Sequence, residues 1–394
     1  MRNSSVPSLL PVYNRIDIVF ERGEGSWLYD RRGKAYLDFG SGIAVTGLGH
    51  CHPHLVKTLQ EQAARLWHVS NLYRIEQQER LADRLVAHSF AETVFVCNSG
   101  AEAIEGCIKL VRRYWWAKGR PERHRIVTFE GAFHGRTMAA ISAAGSKKLT
   151  EGCEPLLPGF DIVPFGDHQA LERAIGPETA AVMVEPIQGE GGIRPVPVDC
   201  LRGLRERCDR EGCLLVFDEV QTGMGRTGRL FAHEALGVRP DVVAIAKGLG
   251  GGFPIGAFLA TGEAASGMTV GAHGSTFGGN PLACAVANAV LDVMLAEGFL
   301  ESVAAKGALF RRRVEETAAR LGGAILEVRG LGLMVGIKTA RPNGEVAAEL
   351  RAAGLLTVPA ADNVLRLLPP LTISEAEIEQ GCAILAETLR AKAA

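Results

Sequence analysis

An α/β fold is what this sequence predicts: a large domain with a mainly parallel sheet covered by helices, and a smaller α+β domain after it. Three observations carry that expectation. Short apolar runs alternate with amphipathic stretches between about residues 93 and 260. Beyond about 282 the texture changes to two long helical stretches followed by strand-rich segments. Two polar residues, Asp218 and Lys247, stand where two of the apolar runs end, 29 positions apart (247 − 218).

The runs that read as strands cover 93–97, 126–129, 161–164, 180–185, 214–217, 242–246 and 255–260. A helix is expected from the turn after 97 to about Trp116. The C-terminal part reads as two helices, a strand-rich stretch over 324–339, a helix, a strand-like run ending at Pro369 and a last helix from Ser374. Near the N-terminus, 27–30 and 35–38 read as a hairpin that packs with this smaller unit. The expected division is therefore 1–50, an N-terminal segment; 51–281, the large domain; and 282–394, the small domain.

Composition excludes several classes of function. With 47% hydrophobic and 22% charged residues the chain reads as an ordinary soluble globular protein. A formal net charge of −1 gives no reason to expect a nucleic-acid or membrane partner. Nine cysteines, an odd number with no Cys-x-x-Cys pair, argue against a disulfide framework or zinc ribbon and suit a reducing cytosol. The first residues lack the apolar core of a signal peptide, so a cytoplasmic protein is expected. The 47 glycines gather in loops, where they let backbone approach a ligand.

The chemistry starts from Asp218 and Lys247. Pyridoxal 5′-phosphate (PLP) needs a lysine to hold it as a Schiff base and a carboxylate to keep its ring nitrogen protonated. Lys247, between Ala246 and the run Gly248-Leu249-Gly250-Gly251-Gly252, is placed to be desolvated into a nucleophilic amine, and Asp218 supplies the anion. Taken singly, Lys247 reads better as a solvated lysine at a strand end and Asp218 as a turn residue. A third feature joins them: Asn98-Ser99-Gly100-Ala101-Glu102 follows a strand and opens a helix, which presents free N–H groups to a phosphate, or else marks a simple Ser N-cap. In Phe133-His134-Gly135-Arg136-Thr137 an aromatic is available to stack on a cofactor ring and an arginine to hold a substrate carboxylate, a bland turn being the alternative.

Two motifs point elsewhere. Gly223-Met224-Gly225-Arg226-Thr227-Gly228 fits the dinucleotide fingerprint and is the one support for an NAD oxidoreductase, yet no clear helix opens at its end. His50-Cys51-His52-Pro53-His54 resembles a metal cluster, but its spacing suits a structural turn better. A non-catalytic PLP-fold regulator is a third possibility, against which stands the presence of both Asp218 and Lys247.

These blocks together resemble the class III, fold-type I aminotransferases, and among them the enzymes acting on acetylornithine. The resemblance runs from Gly42-Ile43-Ala44-Val45 through Glu185-Pro186-Ile187-Gln188-Gly189-Glu190-Gly191-Gly192 and Asp218–Gly223 to Leu365-Arg366-Leu367-Leu368-Pro369-Pro370. It implies that Lys247 holds PLP, Asp218 pairs with the ring nitrogen, Gln221 meets the phenolic oxygen, and Phe133 stacks on the ring. Ser99, Gly100 and Ala101 are implied at the phosphate, with Glu219 and Val220 among the cofactor contacts. It also implies a homodimer in which Ser275 and Thr276 reach the neighbouring site, Thr276 at the phosphate.

On the substrate side the resemblance implies that Arg136 holds the donor's α-carboxylate and Arg366 binds 2-oxoglutarate, with Glu190 neutralising Arg366 while the donor is bound. The implied reaction is N2-acetyl-L-ornithine plus 2-oxoglutarate giving N-acetyl-L-glutamate 5-semialdehyde plus L-glutamate, a step of arginine biosynthesis with ping-pong kinetics. His134 matches the acetylornithine enzymes better than ornithine aminotransferases, where tryptophan is typical. Arg74 departs from the usual pattern and bears on the donor pocket, so succinylornithine, N-succinyl-diaminopimelate, ornithine and γ-aminobutyrate stay open as donors.

Overall fold

The computed structural model describes residues 8–390. Its centre is a seven-stranded sheet: β1 (Thr93–Cys97), β2 (Arg125–Phe129), β3 (Phe160–Val163), β4 (Thr179–Val184), β5 (Leu214–Asp218), β6 (Val242–Ile245) and β7 (Gly256–Ala260). The spatial order is β1-β7-β6-β5-β4-β2-β3. β7 runs antiparallel to both its neighbours, β6 and β1, and the remaining pairs are parallel. Every residue of β4, β5 and β6 is buried, which is why these strands read as unbroken apolar runs rather than alternating ones. β3 and β4 begin and end one residue before the expected bounds, so Glu185 falls just beyond β4, while β2, β5, β6 and β7 differ by one residue at one end.

The helix Gly100–Ala117 packs over this sheet, and its start is locally encoded. Ser99 is the N-cap and its hydroxyl accepts from the Glu102 amide at 3.2 Å, while the Glu102 carboxylate reaches back to the Asn98 amide at 2.7 Å. Gly106 permits the close approach to β7: a Cβ there would lie 2.2 Å from the Phe258 ring.

After the sheet come the helices Pro281–Met294, almost wholly buried, and Phe299–Arg320. A four-stranded antiparallel sheet follows, in the order Ile325–Leu331, Met334–Thr339, Val364–Leu367, Val358–Ala360. In it Arg366 stands opposite Gly336 and Val358. The N-terminal strands Phe20–Glu24, Trp27–Asp30 and Ala35–Asp38 form a second antiparallel set, and Leu355–Leu356 joins it parallel to Ala35–Asp38. The expected hairpin is thus stitched to the C-terminal part by main-chain hydrogen bonds.

The dinucleotide-like glycines lie in a packed turn. Arg226 within it is buried and donates to the carbonyls of Leu333 and Pro369 at 3.1 and 2.5 Å, so the segment braces C-terminal backbone and does not open onto a helix that could bind a pyrophosphate. The histidine cluster is dispersed in the same way: His50 pairs with Asp38 at 2.8 Å and His54 with Asp292 at 3.0 Å. Among the described residues no group of His, Cys, Asp and Glu is arranged to hold a metal, and no single helix is long and apolar enough to cross a membrane.

Candidate active site

A cavity of about 430 Å³ opens beyond the carboxyl ends of the parallel strands, where open α/β sheets place their ligands. Asp218 is the last residue of β5, Lys247 follows β6 by two positions and Glu185 follows β4 by one. All three line the cavity, with Ser99, Gly100, Ala101, Phe133, Arg136, Glu190, Val220 and Gln221.

Asp218 is 4% exposed and both its oxygens are engaged. Oδ1 accepts from the Val220 amide at 3.0 Å, and Oδ2 lies 2.8 Å from His134 Nδ1. Lys247 sits with a φ of +43°, an uncommon conformation for a long side chain and a local strain of the kind found at functional sites. Burial lowers its amine from the ordinary lysine range, against the opposing pull of the Asp218 and Glu190 carboxylates. A buried lysine of this kind is partly available as a neutral nucleophile and base.

The phosphate side is built from backbone. The amides of Gly100 and Ala101 open the helix Gly100–Ala117, so they have no carbonyl to bond within it. A Cβ on Gly100 would lie 2.7 Å from Val220 Cγ1, so glycine alone brings this loop so close to the cavity wall. Gln221 is buried, and its Oε1 has no hydrogen-bond partner among the described residues. A free helix N-terminus, an orphaned amide, a buried carboxylate, an aromatic face and a desolvated lysine fit a phosphorylated pyridine aldehyde such as PLP.

The substrate side carries two arginines in different states. Arg136 is exposed, 5.6 Å from the Phe133 ring centroid, with no ion pair among the described residues. Arg366 is 1% exposed and paired with Glu190.

The family profile for class-III aminotransferases matches residues 11–389 of the chain. The chain belongs to that family. Among curated class-III relatives it is 59% identical over 379 residues to acetylornithine aminotransferase 1 of Bradyrhizobium diazoefficiens, covering 96% of this chain and 94% of the relative. It is 57% identical over 375 residues to the acetylornithine aminotransferase of Rhodobacter capsulatus, covering 95% of each. Of solved structures, it resembles N-acetylornithine aminotransferase from Stenotrophomonas maltophilia, with TM-score 0.83, 41% identity and 95% and 96% of the two chains covered. It also resembles an ornithine aminotransferase from Toxoplasma gondii with PLP partly occupying its active site, with TM-score 0.92, 32% identity and 96% and 91% coverage.

Five residues that the sequence connected with substrate or cofactor do not line this chain's cavity. Glu219 turns away from the cavity, because consecutive side chains at a strand end point to opposite faces. Its carboxylate instead accepts from the amides of Ala232 and His233 at 2.5 and 2.9 Å, capping the helix Ala232–Leu236. Ser275 and Thr276 do not line this chain's own cavity, and Ser275 Oγ accepts from Asn98 Nδ2 at 3.1 Å. Arg366 reaches the cavity only through Glu190. Arg74 is 89% exposed and bound to Glu79 at 2.7 Å, away from the lining.

His134 and Glu185, which no sequence motif marked for chemistry, both line the cavity. The signal was present, since the rule that selected Asp218, a polar residue ending a buried run, selects Glu185 as well.

Proposed function

We propose that this class-III aminotransferase transfers the terminal amino group of N2-acetyl-L-ornithine to 2-oxoglutarate with PLP as cofactor, giving N-acetyl-L-glutamate 5-semialdehyde and L-glutamate in arginine biosynthesis. The observation that carries this reading is one cavity holding Asp218, Lys247 and a free Arg136 beside a neutralised Arg366. Two anion-binding groups in different charge states suit a site that must accept a monocarboxylate donor and a dicarboxylate acceptor in turn.

The bound cofactor supplies the electron sink that allows a proton to leave the carbon bearing the amine. In this reading Lys247 holds the cofactor and then moves that proton to and from the reacting carbon, a task suited to its lowered basicity. Asp218 faces the ring nitrogen, Gln221 the phenolic oxygen, and Phe133 and Val220 enclose the ring. Ser99, Gly100 and Ala101 bind the phosphate. Arg136 holds the α-carboxylate of the donor, and Arg366 takes the distal carboxylate of 2-oxoglutarate once Glu190 has swung aside.

A homodimer with shared sites completes the reading. Trp67, Leu72, Tyr73 and Phe277 are all more than half exposed. Asn71 binds their two segments together, donating to the carbonyls of Ser275 and Gly278 at 3.1 and 2.9 Å. An apolar surface of this kind on a loop that carries Ser275 and Thr276 supports their action at a neighbouring subunit's phosphate. In the same reading 51–281 bind the cofactor, 282–394 form the small domain with 1–50 packed on it, and nine free thiols suit the reducing cytoplasm.

The test is a half-reaction. PLP-loaded protein mixed with N2-acetyl-L-ornithine and no keto acid should convert its cofactor to pyridoxamine phosphate in one turnover, and 2-oxoglutarate should restore it. Conversion by ornithine or succinylornithine in preference to acetylornithine would reassign the donor. No conversion by any amine would remove the reading.

A further inference from the structure

His134 is 2% exposed and wedged against the residue most important to the cofactor ring. An ionised carboxylate only accepts hydrogen bonds, so the 2.8 Å contact makes His134 Nδ1 the donor to Asp218 Oδ2. With the Val220 amide on Oδ1, both oxygens are tied and the carboxylate cannot rotate.

Glu185 completes the cluster from the end of β4. Its oxygens accept from the amides of Phe133 at 2.8 Å and Gly189 at 3.2 Å, which ties the loop bearing His134 to the sheet. Burial, then the Asp218 charge, pushes the Glu185 carboxyl up to about 7. Burial pushes the His134 imidazole down, but the hydrogen bond and charge of Asp218, helped by Glu185, outweigh it and raise it. The Cys107 thiol also faces Asp218 and is kept neutral by burial and by that charge. Lys247 lines the same cavity and interacts electrostatically with Asp218, Glu190 and Arg366. His134 Nε2 has no partner among the described residues, so its bond to Asp218 is the one directed contact the ring makes.

We propose that His134 is a positioning residue, which by donating to Asp218 within a buried cluster completed by Glu185 holds that aspartate ionised and oriented for the cofactor's ring nitrogen. The inference rests on the assignment of Asp218 to that nitrogen.

The experiment reads the nitrogen directly. Holoenzyme is reconstituted with PLP labelled with 15N in the ring, and its chemical shift is followed across neutral pH in the wild type, His134→Ala, His134→Asn and Asp218→Ala. The wild type should show a protonated nitrogen. His134→Ala should move toward the neutral pyridine value, with kcat down about tenfold and KM for the donor within about twofold. His134→Asn, whose amide can donate from nearly the place of Nδ1, should recover most of the wild-type shift. A nitrogen that stays fully protonated in His134→Ala overturns the proposal, as does loss in both variants that Asn does not rescue. A nitrogen already neutral in the wild type, or untouched in Asp218→Ala, instead overturns the Asp218 assignment, and the His134 role falls with it.

Discussion

The guanidinium of Arg366 is sealed in the protein and meets the carboxylate of Glu190 at the cavity edge: the arginine side chain is 1% exposed, the glutamate 35%. The partners come from different layers, Arg366 from the strand Val364–Leu367 and Glu190 from the loop after β4. The exposed partner is the one able to move, so opening this pair uncovers a buried cation for an incoming anion.

Replacing Glu190 by Gln keeps the shape and removes the competing charge. The KM for 2-oxoglutarate should fall, and the donor half-reaction should slow by about tenfold because the donor now meets an unneutralised arginine. Stopped-flow measurement of the two half-reactions checks this, and equal effects on both would contradict the alternating role.

Lys247→Met should abolish turnover and also change stability with a defined sign. The folded protein lowers the lysine pKa from 10.5 because burial disfavours the charged amine. The unfolded chain therefore binds the extra proton more readily, and the folded apoprotein bears a penalty that is relieved as pH rises toward 10.5. Apo Lys247→Met should be more stable than the wild-type apoprotein at neutral pH, with the gap narrowing in alkaline buffer. Urea midpoints across that range give the answer.

For Glu185 the sign is opposite in origin. Its carboxyl is raised from 4.5 to about 7 in the fold, so the protonated form stabilises the protein fully below 4.5 and that contribution is lost as pH rises through about 7. Glu185→Gln, which mimics the protonated acid, should gain on the wild type above neutrality by on the order of 1–3 kcal/mol. Parallel pH–stability curves for the two proteins would contradict it.

Gly106→Ala should cost stability even though alanine is the better helix former. A Cβ would sit 2.2 Å from the Phe258 ring, and overpacking of this kind costs about 1–3 kcal/mol. The melting temperature should drop and cofactor retention weaken, because the same helix carries the Gly100 and Ala101 amides.

The sequence by itself determined the run of strands and helices and where its buried strands stop. Strands covered on both faces are apolar through their interior, so Asp218, the last residue of β5, and Lys247, two residues after β6, stood out as the first polar groups at the ends of those runs. The start of the helix Gly100–Ala117 was equally local, since its cap and the carboxylate that reaches back lie within five residues. Tertiary structure alone decided the reversal of β7, the turn of Glu219 onto the helix Ala232–Leu236, and the contact of His134 with Asp218 across 84 positions. The physical reason is that periodicity and capping act over a few residues, whereas sheet order and domain packing choose partners between segments whose separation along the chain leaves no trace in either pattern.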